Sequence, residues 1–311
     1  IAAVQKSSTS TACVPAFGNV VKTVAVACSY SNPTSGQRSP VVNGVALNTS
    51  GAASAACDGT GQLLSLSFNG SGVATPSLIY SDVGKLTLNL SLAGSDQASG
   101  LNMTGTGSVV GAPAAFTLTG SPTTVVGAGS PFAVTVSAVN AEGNVTPNFG
   151  RETSPEGVRL SWTRASPTGA GASAGTFTGT GVGATAALTS FVNGVATVSD
   201  LAWTEVGSGD ITSTLASGSY LASGLSASGT TGSTGAALRS VPHHFDVGVT
   251  QGCGSITYSE QPFRVTITAR NAGNGITLNY NGTAATTPAL SKQVTLSATT
   301  NASLGSFAPG S

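Results

Sequence analysis

Apolar side chains recur at every second position in several short runs of this chain. "FAVTVSA" places Phe132, Val134, Val136 and Ala138 on one side, and "FRVTITA" does the same with Phe263, Val265, Ile267 and Ala269. "KLTLNLSLA" alternates Leu86, Leu88, Leu90 and Leu92. A period of two puts such residues on one face of a pleated strand, so each run predicts a half-buried antiparallel strand. No window sets apolar residues at i, i+3, i+4 and i+7 with good helix formers between them. Turn signals separate the runs at Asn43-Gly44, Asn69-Gly70, Asn193-Gly194, Ala141-Glu142-Gly143-Asn144 and Ala272-Gly273-Asn274-Gly275. Many short strands joined by Gly/Asn turns predict an all-β chain of tandem Ig-like β-sandwiches.

Internal repeats divide the chain. "PFAVTVSAVNAEGNVTPNF" (131–149) aligns without a gap on "PFRVTITARNAGNGITLNY" (262–280), with nine identities in nineteen positions. Just upstream, "PAAFTL" from Pro113 matches "PHHFDV" from Pro242. A second repeat pairs "GVATPSLIYSDVG" (72–84) with "GVATVSDLAWTEVG" (194–207), which sets Tyr80 against Trp203 as large aromatics at a sheet edge or core rim. "VAVACSYSNPTSG" from Val24 resembles "VRLSWTRASPTG" from Val158, and "VTLSATTNASLGSF" from Val294 resembles the start of that segment.

In order, the chain then reads back half, whole domain, front half. Residues 1–112 are expected to form a partial domain of middle and back strands. Residues 113–241 form a complete one, and 242–311 a partial domain of front strands ending before any "GVAT…VG" segment. Half a sandwich leaves strand edges and one apolar face uncovered. Phe245, Phe263, Val265, Ile267 and Tyr280 are thereby expected at a subunit interface. Two readings follow. The tail of one subunit completes the first domain of the next, a heterologous contact that propagates into a filament; or the chain is a truncated piece of a longer repeat array.

Composition narrows the functions. Charged residues are 7% of the 311 and the formal net charge is zero, against about 25% charge in an average soluble protein. A neutral chain without Lys/Arg runs has no field to attract nucleic acid or an anionic membrane. No apolar run approaches the ~20 residues that span a bilayer, and "IAAVQKSSTST" lacks the basic start and apolar core of a signal peptide. An export signal is therefore expected to have been removed or to lie upstream. None of the four cysteines forms CxxC, which leaves zinc ribbons, thioredoxin-type redox and covalent haem unsupported. Cys13 and Cys28 bracket a hairpin-sized loop, and a disulfide between them fits an oxidising compartment; a pair of buried thiols is the other reading. Cys57 and Cys253 fall in opposite partial domains, so subunit completion would allow an inter-subunit bond between them, against two separate thiols. Sequons at Asn69, Asn89, Asn144 and Asn281 fit a secreted surface.

Several stretches carry a family likeness. "CSYSNPTSGQRSPVVNGVAL", "LIYSDVGKLTLNL", "GLNMTGTGSVVGAPAAF" and "LAWTEVG" followed by "SYLASG" and "VPHHFDVGVTQGCG" resemble the β-rich C-terminal region of MSHA (mannose-sensitive haemagglutinin) pilus biogenesis proteins, the MshQ-like group. Thr204 stands where that group more usually has Ser. The resemblance covers most of Cys13 to Gly282. It implies an exported, surface-associated β protein linked to type IV pili or similar appendages, and brings no catalytic residues with it.

Candidate chemistry is sparse. The two histidines, His243 and His244, are adjacent at the start of a predicted strand, where neighbours face opposite ways. Asp82, Asp200, Glu205 and Asp210 lie near inferred loops; a calcium site is one reading, and caps for loop amides the stronger. Glu142, Glu152 and Glu156 are expected on a polar surface patch rather than as an acid/base pair. No phosphate-binding glycine motif occurs. The expectation is a non-enzymatic protein without metal or cofactor, located outside the cell. Its partner is itself in a head-to-tail homopolymer, with pilus components or surface glycans as further partners, and no nucleic acid or membrane insertion. The alternative is a stalk or adhesin segment that does not polymerise.

Overall fold

The computed structural model describes residues 1–93, 102–120, 125–231, 238–282 and 286–296. The chain is all-β, and its strands fall into three units along the sequence. Unit one holds β1 (Val4–Lys6), β2 (Cys13–Pro15), β3 (Val20–Asn32), β4 (Val41–Val42), β5 (Val45–Ala46), β6 (Gln62–Phe68), β7 (Leu78–Ile79), β8 (Gly84–Leu92) and β9 (Met103–Gly111). Its main sheet runs β6-β3-β8-β9, faced by a smaller sheet β5-β4-β7, with β1-β2 as a separate hairpin. Val24, Val26, Leu47, Leu64, Leu66 and Phe68 are buried in one shared cluster. This cluster is the core of unit one.

Unit two holds β10 (Ala115–Thr119), β11 (Val125–Gly127), β12 (Phe132–Val139), β13 (Val158–Ser166), β14 (Phe177–Thr178), β15 (Val195–Trp203), β16 (Gly207–Leu215), β17 (Ser228–Thr230) and β18 (Leu238–Val241). Two sheets face each other: β10-β12-β15-β14, and β11-β18-β16-β13 with β17 beside β16. Phe132, Val134, Val136 and Ala138 all point into the core, as the alternation requires. Phe149 sits at the centre, with edge contacts to Phe116 and Phe191 and a stacked contact to Tyr220.

Unit three shows one hairpin, β19 (His244–Thr250) with β20 (Arg264–Arg270), followed by the segment through Tyr280. The stretch beginning "VTLSAT" at Val294 lies outside the described residues beyond Leu296. The short turns form as their sequences demand. At Asn43-Gly44 and Asn193-Gly194 both residues adopt positive φ, 48° and 84° in the first and 50° and 78° in the second, the geometry of a two-residue hairpin turn.

The cysteine pairing differs from expectation. The disulfide joins Cys28 to Cys57, and Cys13 and Cys253 are free and exposed. Cys28 shares the inward face of β3 with Val24 and Val26, while Cys57 lies on the loop that covers that face. Cys13 sits on β2, whose partner is β1 and not β3, so the loop between Cys13 and Cys28 is no hairpin. With Cys57 engaged, a Cys57–Cys253 bond between subunits is also excluded in this state. In the folded, unreduced protein two thiols are expected to react with a thiol reagent, and four after reduction and unfolding. Cys57→Ala should lower unfolding stability by about 2–4 kcal/mol, measured by denaturant unfolding; four reactive thiols in the native protein would contradict the pairing.

Candidate assembly interface

The repeated sequence blocks meet each other at the junctions between units, and they do so twice in the same way. At the first junction, Asp82 Oδ1 accepts the backbone N–H of Asn148 at 3.0 Å and of Val83 at 2.9 Å. The Asn148 amide donates to Tyr80 Oη at 3.0 Å and to the Val83 carbonyl at 3.3 Å, and Asn140 Nδ2 reaches the Ser81 carbonyl at 3.1 Å. At the second, Glu205 Oε2 accepts Asn279 N–H at 3.0 Å and Oε1 accepts Leu278 N–H at 3.0 Å. Asn279 Nδ2 donates to the Val206 carbonyl at 3.1 Å, and Asn271 Nδ2 to the Thr204 carbonyl at 3.2 Å. Asn140 and Asn271, and Asn148 and Asn279, are each separated by the 131 residues of the first repeat. The longer Glu205 captures two amides of the next unit where Asp82 captures one.

A glycine follows each junction and packs against a strand of its own unit, β3 in the first and β13 in the second. Gly84 and Gly207 have φ of 122° and 138°, and an added Cβ would stand 2.7 Å from the Asn32 carbonyl oxygen in the first and 2.1 Å from that of Ser166 in the second. Only a residue without Cβ fits there, which accounts for the Val-Gly shared by both back-half repeats. Asp82 and Glu205, expected as solvated turn acids or caps for loop amides, cap amides across unit boundaries and are not solvated, each being 3% exposed. Asp200 caps Thr180 on the surface, and Asp210 accepts from Thr231 Oγ1. Among the described residues no three His, Cys, Asp or Glu groups cluster to hold a metal ion.

Two other sites depart from the reading of the sequence. Glu152 belongs to no surface patch: it is buried, accepting Tyr220 Oη–H at 2.7 Å and the amides of Gly150 and Glu156. Burial raises its pKa, with the Tyr220 bond acting in the opposite direction. His243 precedes β19, so strand alternation does not separate it from His244; the two Nδ1 atoms lie 3.0 Å apart.

The expected interface residues are on one exposed surface. Register within the β19–β20 hairpin pairs Phe245 with Ala269, Val247 with Ile267 and Val249 with Val265, making one face wholly apolar. Phe245 is 41% exposed and Phe263 42%, whereas their counterparts Phe116 and Phe132 are 3% and 6%. Val265 and Ile267 are half-buried. Tyr280 does find a partner, packing on Phe245 at 5.7 Å as Phe149 packs on Phe116 at 5.5 Å.

Unit one carries the matching deficit. An open groove of about 1080 Å³ runs over Phe17, Phe68, Leu78, Leu88, Leu90 and Met103. Leu88 and Leu92 are only half-buried, while the residues at the same repeat positions, Ile211 and Leu215, are 0% and 2% exposed. In unit two that surface lies under β10 and β12.

Three family models match the chain: "Domain of unknown function (DUF6701), first Ig-like domain" over residues 1–106, "DUF6701, second domain" over 100–199, and "DUF6701, third domain" over 205–309. The chain belongs to the DUF6701 family. The DUF6701 models identify Ig-like repeat domains and do not reach the narrower MSHA pilus group that the motifs resemble. The boundary between the second and third DUF6701 models falls at the second junction segment, before β16 and β18 complete the sheets that β10 to β15 begin. No curated protein and no solved structure matches.

The buried acid of the first junction sets a pH test. Burial pushes the Asp82 pKa above its ordinary 3.8, and the amides of Asn148 and Val83 pull it back in part. A carboxyl with a raised folded-state pKa binds more protons native than unfolded, so its contribution to stability rises as pH falls through that window. Asp82→Asn keeps an acceptor for both amides and has no charge to desolvate. Its thermal midpoint at pH 7 is expected to equal or exceed wild type, with the difference closing toward pH 4. A variant less stable than wild type at pH 7 and parallel to it at all pH values would contradict this.

Proposed function

We propose that this DUF6701 chain is an exported structural protein, the subunit of a surface filament or appendage assembled head to tail by β-strand complementation, and that it has no catalytic role. One observation carries the reading: the same hairpin occurs twice, and it is buried in unit two but exposes its apolar face in unit three. Uncovered apolar faces of this kind mark association surfaces. The deficit of unit one and the surplus of unit three are different surfaces, so contact between copies through them is heterologous and extends into a filament unless its rotation closes a ring. The Cys28–Cys57 bond fits an oxidising compartment, and no helix among the described residues is long and apolar enough to cross a membrane.

A second reading rests on the junctions. Two similar, hydrogen-bonded joints fit a spacer, as a stalk or adhesin segment of a pilus-linked surface protein requires, with pilus components or glycans as partners.

Negative-stain microscopy and sedimentation of the purified chain separate the two. Fibres with a repeat of one chain length are expected, and their loss in Phe263→Asp with the monomer's thermal midpoint nearly unchanged, because Phe263 is exposed in the single chain. The counterpart Phe132→Asp should instead destabilise unit two by about 3 kcal/mol or more. A strictly monomeric wild-type chain at high concentration would leave the spacer reading.

A further inference from the structure

The repeat that relates unit two to unit three also shows what unit three has gained. "PAAFTL" from Pro113 and "PHHFDV" from Pro242 align residue for residue, so His243 and His244 stand where unit two has Ala114 and Ala115, and Asp246 where it has Thr117. On the partner strand Arg270 stands where unit two has Val139. The backbone is the same in both places. Ala115 lies opposite Val139 and His244 opposite Arg270. Ala114 N–H donates to the Val139 carbonyl at 2.8 Å, and His243 N–H to the Arg270 carbonyl at 2.8 Å. Two alanines therefore satisfy this part of the fold, and the two histidines, the aspartate and the arginine are an addition that the backbone does not require.

The four side chains form a relay. Arg270 Nε donates to Asp246 Oδ2 at 2.6 Å. Asp246 Oδ1 faces His244 Nε2 at 3.7 Å, within ion-pair range. The other ring nitrogen of His244, Nδ1, lies 3.0 Å from Nδ1 of His243, with the two rings at 88° to each other. A carboxylate on the Nε2 side favours the tautomer with its proton there and leaves the Nδ1 lone pair of His244 free. Metal-bound imidazoles are oriented by carboxylates in this manner. The His243 ring rests against unit two: a Cβ added to Gly127 of β11 would stand 3.0 Å from its Cδ2. His243 is exposed and His244 half-buried, so an ion can reach both.

The spacing of the two Nδ1 atoms fits a single ion between them. Imidazole nitrogens about 2.05 Å from a metal and at right angles stand about 2.9 Å apart, and in a tetrahedral site about 3.3 Å. The observed 3.0 Å is nearer the right-angled value. That geometry belongs to Cu(II) and Ni(II) rather than Zn(II), and affinity for nitrogen ligands peaks at copper.

We propose that His243 and His244 chelate one divalent transition-metal ion, Cu(II) in preference to Zn(II), through their two Nδ1 atoms, with Asp246 and Arg270 as positioning residues for His244. On binding, the proton shared by the two Nδ1 atoms leaves to solvent or passes to Nε2 of His243, and the metal takes its place. Among the described residues no group of three His, Cys, Asp or Glu forms a closed site, so the remaining coordination positions go to water or to a donor from another molecule. The site lies at the start of β19 and is independent of the head-to-tail reading.

Calorimetric titration with Cu(II) and electron paramagnetic resonance test it, in a Cys13→Ser, Cys253→Ser background that removes the two exposed thiols. One Cu(II) per chain is expected, bound more tightly than Zn(II) and with the hyperfine pattern of two nitrogen donors. His243→Ala and His244→Ala each restore the residue of unit two. Each should weaken binding about tenfold or more, and Asp246→Asn roughly tenfold, with recovery in Asp246→Glu. The metal-free thermal midpoints of all four variants should stay at the parent value. Equal copper affinity in the parent and the double alanine variant would place the ion elsewhere and overturn the site. Loss in only one alanine variant would reduce the pair to a single ligand and overturn the chelate. A parent that binds no Cu(II) would leave only an N–H···N hydrogen bond between the rings and overturn the proposal outright.

Discussion

A two-stranded hairpin with one wholly apolar face is stable only when a second sheet covers that face. Unit two satisfies the condition within itself, since β10 and β12 lie over β13, β16 and β18 around Phe149. Unit three presents the same hairpin with Phe245, Val247, Val249 and Phe263 open to solvent. Unit one presents the complementary sheet with Leu88, Leu90 and Leu92 half covered. At roughly 25 cal/mol per Å² of apolar surface, covering several such side chains gives a driving force that a polar spacer would lack. Everything said about assembly depends on this one imbalance.

The junctions explain how neighbouring units are joined. A buried carboxylate from the end of one unit accepts backbone amides from the turn that opens the next, and an asparagine amide returns the contact to a backbone carbonyl. Amide donors replace part of the lost water there, while Asp82 Oδ2 stays buried without a partner. Repetition of the joint at Asp82/Asn148 and Glu205/Asn279 fixes the relation of neighbouring units in the same manner each time.

Much of this was legible in the residues themselves. Period-two alternation located β8, β12 and β20, and Asn-Gly pairs located the turns that require positive φ. The offset repeats marked the segments that meet at the junctions and the hairpin whose apolar face is exposed. Cysteine pairing was not legible, because Cys57 lies on a loop without periodicity and proximity in sequence favoured Cys13, which sits on another hairpin. The burial of Glu152 was hidden by its polar neighbours Arg151, Thr153 and Ser154. The junction did leave a signal: Asp82 and Glu205 both precede Val-Gly, and Asn148 and Asn279 share the same offset as their strands. Reading the two blocks as opposite sides of one contact would have found it.

Amide hydrogen exchange followed over a range of protein concentration tests the central imbalance most directly. The account expects exchange to slow together in two distant stretches, Val265–Ala269 and Leu88–Leu92, as concentration rises. Rates in both stretches that stay constant from dilute to concentrated protein would contradict it.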